Sequence, residues 1–139
     1  MSRPIVIIEH CQEDKMLLER IFSDLDIAYY IEWFDETASA MRYLKNTTEK
    51  VFLILCEVDL PGQNGLAFKK IVDDDALLRK KGIPFVFFSD PARQDEINRA
   101  YIEMTVQGFF KKSRDYHEMK AMISLIVAYW SLSRHPNAV

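Results

Sequence analysis

The stretch LILCEVDLPGQNG, residues 53–65, decides how the chain is read. An unbroken apolar run ends in an acid, Glu57. A second acid, Asp59, and a Pro-Gly turn follow at once. An apolar run without polar alternation predicts a strand covered on both faces. A carboxylate at the tip of such a strand needs a partner or a task, because an unpaired buried charge is costly.

Outward from this stretch, strand-like and helix-like segments alternate. IVII (5–8), AYYIEWF (28–34), VFLILC (51–56), IPFVFF (83–88) and VQGFFKK (106–112) read as strands. Helical spacing of apolar residues covers 13–25, 36–46, 65–82, 90–103 and 115–133. Asp35 is placed to cap the second of these helices, and Gly82 to stop the third, which is weakened near the acids 73–75. Asp90-Pro91 is a helix-start signal for the fourth. Five strands alternating with five helices predict an α/β, doubly wound parallel sheet with right-handed crossovers. One domain is expected over 1–139, with a core from about 4 to 132 and a frayed tail at 133–139.

Composition narrows the function classes. The chain has 139 residues, 49% of them apolar, and a net charge of −3. That balance predicts no general affinity for nucleic acid or an anionic membrane. No apolar run reaches the roughly 18–20 residues needed to cross a bilayer. The start MSRPIVIIEH is not a secretory signal, and a cytoplasmic location is expected. Cys11 and Cys56 form no CxxC pair, and Cys56 is expected in the core. The acids 73–75 are expected at a solvated helix end, and His117 and His135 have no evident partner.

In doubly wound sheets the ligand crevice lies beyond the carboxyl ends of the strands. Those ends carry Glu9-His10, Glu57, Ser89-Asp90 and Lys112. Carboxylates, a hydroxyl and a lysine on one rim suit Mg²⁺ with a phosphoryl group. His10 and Cys11 together are an awkward transition-metal pair, since adjacent residues at a strand end point apart.

These residues carry a resemblance over 4 to about 132. FLILCEVDLPGQNGL (52–66), IPFVFFSD (83–90), GFFKKS (108–113) and VIIEHCQED (6–14) are similar to the receiver domain of two-component response regulators. DDDALLRKKGIPFVFF (73–88) and AYW (128–130) resemble stand-alone receivers that partner phytochrome-like histidine kinases. The resemblance implies a flavodoxin-like (βα)₅ fold with strand order 2-1-3-4-5. It implies phosphorelay signal transduction by protein contacts, with a histidine kinase or a downstream protein as partner. It places the phosphoacceptor at Glu57, four residues before Pro61, with Ser89 and Lys112 beside it. The Mg²⁺ positions fall on Glu9, His10, Glu57 and the carbonyl of Asp59. Phe109 takes the aromatic switch position on the fifth strand. The output and homodimer surface falls on the fourth helix, fifth strand and last helix, where Tyr101, Phe109, Tyr129 and Trp130 lie.

The chain departs from the family pattern where the chemistry would occur. The acceptor position holds Glu where the family has Asp, and His10 replaces an acid. The extra methylene moves the carboxylate by about 1.5 Å, and a misplacement of about 1 Å can cost on the order of 10²-fold in rate. Imidazole is a poor ligand for Mg²⁺. Weak or absent phosphorylation is therefore expected, as in a degenerate pseudo-receiver. Glu57 then either neutralises Lys112 in a vestigial pocket or imitates the phosphorylated state, pairing with Lys112 and accepting from Ser89. A working receiver phosphorylated on Glu57 is the first rival. An enzyme or flavin binder on the same scaffold is the second, but GxSxG, P-loop and GxGxxG motifs are all lacking.

Overall fold

The computed structural model describes residues 3–89, 94–104 and 106–134. Its strands are β1 (Pro4–Ile8), β2 (Tyr30–Phe34), β3 (Leu53–Glu57), β4 (Phe85–Ser89) and β5 (Gly108–Lys111). Its helices are α1 (Gln12–Leu25), α2 (Thr37–Asn46), α3 (Gly65–Asp74), α4 (Ala76–Lys81), α5 (Gln94–Glu103) and α6 (Tyr116–Leu132). The strands form one parallel sheet in the order β2-β1-β3-β4-β5. The doubly wound, flavodoxin-like fold class and strand order expected above are those observed.

Alternate residues of each central strand feed opposite cores, as the pleat requires. Val6, Ile8, Ile54, Cys56, Phe85 and Phe87 point to α2, α3, α4 and α5, through Leu44, Phe68, Leu78 and Ala100 among others. Ile5, Ile7, Leu53, Leu55, Val86 and Phe88 point to α1 and α6, through Leu18, Ile21, Met119 and Ile123. The helical spacing read in 115–133 describes this inner face, with Met122 and Trp130 partly buried at its margin.

Two local expectations need correction. Residues 65–82 form two helices, so the described chain has six. Asp75 is extended (ψ 117°), ends α3, and caps α4 by accepting from Leu78 N at 3.0 Å. A side chain that bonds its own backbone competes with helix continuation. Two of the acids 73–75 are paired: Lys69 contacts Asp73 at 2.6 Å and Lys45 contacts Asp75 at 3.2 Å. At α2 the cap is Glu36, with no side-chain cap bond, and Asp35 lies one residue outside. The Asp90-Pro91 signal and His135 lie outside the described residues.

Candidate functional site at the strand ends

Parallel strands bring their carboxyl ends to one rim, and β1, β3, β4 and β5 deliver Glu9, Glu57, Ser89 and Lys112 there. All four are buried, between 1% and 5% exposed. Lys112 follows β5 directly, and its N–H donates to Ser89 O at 2.9 Å, extending the ladder by one bond. The Lys112 ammonium lies 2.6 Å from Glu57 Oε1 and 2.8 Å from Asp14 Oδ2. It also forms an ion pair with Glu9 Oε1. Its three donors thus face three carboxylates, which matches the donor capacity of an ammonium.

The far oxygens are engaged as well. Glu57 Oε2 accepts from Val58 N at 2.6 Å and Asp59 N at 3.2 Å. Glu9 Oε2 accepts from His10 N at 3.1 Å and Cys11 N at 3.2 Å, where the chain turns into α1. Asp14 Oδ1 lies 3.3 Å from Arg114 Nε. Asp14 also sits in the first turn of α1, where a negative charge suits the helix dipole.

The electrostatics follow from burial and this pairing. Burial pushes the Glu9 carboxyl above its ordinary range, and Lys112 opposes the rise without cancelling it. Burial acts in the same sense on Asp14, but Lys112 and Arg114 outweigh it and hold the group below its ordinary value. Burial alone would lower Lys112; its bonds to Asp14, Glu57 and Glu9 reverse the sign and keep it charged. Cys56 is fully buried, and burial pushes its thiol well up.

Sequence reasoning located Glu9, Glu57, Ser89 and Lys112, and the structure brings Glu9, Glu57 and Lys112 into contact. One expectation differs. Ser89 Oγ is buried and has no hydrogen-bond partner among the described residues, so it does not bond Glu57. The reason is geometric: backbone N–H groups of the following loop take Glu57 Oε2. His10 is exposed, with Nδ1 3.9 Å from Glu9 Oε2, too long for a hydrogen bond. Asp59 is exposed. Asp14 was missed. Its signal is a count: a buried ammonium needs three acceptors, and the sequence reading pairs Lys112 with Glu57 alone. Phe109 packs inward on Phe87, with ring centroids 5.5 Å apart.

No family model matches the chain. It is 25% identical over 130 residues to the "Probable methanogenesis regulatory protein FilR2" of Methanothrix harundinacea (strain 6Ac), covering 91% of this chain and 82% of that protein. The phosphorylated cyanobacterial phytochrome response regulator RcpA superposes with a TM-score of 0.86 at 21% identity, covering 98% of this chain and 99% of that one. The fold is that of response-regulator receivers. The Mn²⁺-bound response regulator Rcp1 (TM-score 0.83, 21% identity, 97% and 99% covered) shares it. So does a receiver domain from Rhodospirillum rubrum (TM-score 0.80, 23% identity, 96% and 97% covered).

The receiver fold implies a divalent metal at this rim, and the residues here do not fit one. Two of the four equivalent positions, Glu9 and Glu57, spend an oxygen on Lys112. A third, His10, is exposed and offers an imidazole, a poor ligand for a hard divalent ion. Among the described residues no group of three or more His, Cys, Asp or Glu side chains is arranged to hold a metal ion. No described helix is long and apolar enough to cross a membrane.

Proposed function

We propose that this chain is a two-component signalling receiver that works through protein contacts, with Glu57 a fixed carboxylate in the acceptor position. The observation that carries the reading is the engagement of both Glu57 oxygens. Oε1 is held by Lys112, and Oε2 by Val58 N and Asp59 N. A carboxylate acting as nucleophile toward phosphorus needs a free oxygen at about 3–3.5 Å from the reacting atom. Here the group that would activate a phosphoryl donor, Lys112, instead neutralises the acceptor.

In this reading the chain acts in the cytoplasm, and its partner is a histidine kinase or a downstream signalling protein. The surface of α5, β5 and α6 exposes Tyr101, Ile102, Leu125, Tyr129 and Leu132, which supports a protein interface there, a homodimer included. Ser89 favours the rival reading, because its unpartnered hydroxyl would suit a phosphoryl oxygen.

Incubation with acetyl phosphate and Mg²⁺, read by intact mass, tests the proposal. No mass gain is expected. Stoichiometric phosphorylation that disappears in Glu57→Gln would establish the working receiver instead.

A further inference from the structure

We propose that the cavity between α3, α4 and the amino ends of β3 and β4 binds a small amphipathic monocarboxylate, its carboxylate held by Arg79 and Lys69. The inference goes beyond the proposed function and does not rest on it. Ile54 lies near the start of β3, and Gly82 and Ile83 precede β4, so the cavity sits at the opposite edge of the sheet from Glu57. Its volume is about 250 Å³, at the small end for a ligand site. Leu44, Ile54, Val72, Leu78 and Ile83 form its apolar wall, and Lys69, Asp73 and Arg79 line it with charge. The break at Asp75 builds it, because residues on both sides of the break, in α3 and in α4, wall the same space.

Packing alone does not account for Lys69. Its side chain is 5% exposed, with the ammonium 2.6 Å from Asp73 Oδ1 and 4.9 Å from the centroid of the Phe85 ring. A buried ammonium is costly. Burial pushes this amine below its ordinary value, against the pull of Asp73. Arg79 Nη1 donates to Asp73 O at 3.2 Å, and the guanidinium acts on Lys69 in the same sense as burial. The cavity therefore carries two cations against one carboxylate. Beside it, Asp75 is matched by Lys45 at 3.2 Å and Asp74 is exposed. One negative charge completes the balance. A planar carboxylate matches the fork of a guanidinium, and an apolar tail on it covers the aliphatic wall. Inorganic phosphate would bring close to two charges and nothing for that wall to pack on.

Titration of the full-length chain with hexanoate, followed by amide chemical shifts, tests the site. Hexanoate at millimolar concentration shifts Gly82, Ile83 and Gln107 saturably and leaves Val58 and Asp59, at the other edge of the sheet, unmoved. Hexanol has the same tail without the charge and binds at least about tenfold more weakly. Hexylamine, protonated at neutral pH, does not bind. Arg79 is exposed, so Arg79→Gln keeps the fold and weakens hexanoate about tenfold. Lys69→Met keeps the bulk of the side chain and weakens it to a similar extent. The absence of a saturable shift with hexanoate, equal binding of hexanol, or full affinity in Arg79→Gln overturns the proposal. Full affinity in a folded Lys69→Met overturns the part assigned to Lys69.

Discussion

At Glu57, one methylene more than Asp changes what the carboxylate can reach. The longer side chain spans from the end of β3 to Lys112 and still folds its second oxygen back to Val58 N and Asp59 N. The neighbouring Ser89 hydroxyl gains nothing from this, and a buried hydroxyl without a partner costs about 1–3 kcal/mol. Ser89→Ala should therefore leave stability unchanged or raise it by up to about 1 kcal/mol in urea denaturation. A loss of more than that would reveal a bond the hydroxyl makes in solution. Asp14→Asn should act oppositely and lower stability by about 1.5–3 kcal/mol, since it removes a charged partner from a buried ammonium. A loss too small to measure would mean that Glu9 and Glu57 alone satisfy Lys112.

At the scale of elements, the site depends on how closely α3 approaches the end of β3. Gly65, the first residue of α3, donates from its N–H to Val58 O at 2.8 Å. A Cβ at this position would lie 2.3 Å from Glu57 O and 3.1 Å from Val58 Cα, both backbone atoms that cannot rotate away. Gly65→Ala must therefore push α3 from the strand or displace the backbone that carries Glu57. A destabilisation of about 1–3 kcal/mol is expected, as for an overpacked core. Amide chemical shifts of Val58 and Asp59 should move with it. Unchanged shifts and stability would show that the loop absorbs the methyl group without strain. Asn64 caps the same helix by accepting from Ala67 N at 2.9 Å, so the helix start is set by two adjacent residues.

At the scale of the molecule, a buried site with more carboxylates than cations links stability to pH. Asp14 is held below its ordinary value of 3.8. Its contribution is present above that pH and is lost as pH falls through its folded value. Glu9 has the opposite sign. Raised above its ordinary 4.5, it binds its proton more readily in the folded chain than in the unfolded one. Its contribution to stability therefore falls as pH rises from about 4.5 through the raised value. Glu9→Gln resembles the protonated form at every pH. Thermal melts should show the variant gaining on the native chain from about pH 4.5 upward, with no difference at lower pH. A variant that instead loses ground to the native chain as pH rises would mean that the ion pair with Lys112 outweighs the burial of Glu9.

Apolar runs, helical spacing and the acids at strand ends sufficed for the parallel sheet and for locating Glu9, Glu57, Ser89 and Lys112. Period and burial are local properties, and a strand buried on both faces leaves a continuous apolar run wherever it occurs. The break at Asp75 was visible only as a weakness, because a cap competes with the helix through one hydrogen bond. What surrounds Lys112 was settled by the tertiary structure alone. Asp14 lies 98 residues from Lys112 along the chain, and nothing in the spacing of α1 marks it apart from other first-turn acids. Only the packing of α1 beside the strand ends makes it the third carboxylate. Likewise, whether Glu57 turned to Ser89 or to its own backbone depended on where the loop before α3 placed two N–H groups. A buried charge is paired by whichever groups the fold brings within about 3 Å, and that distance is not written in sequence order.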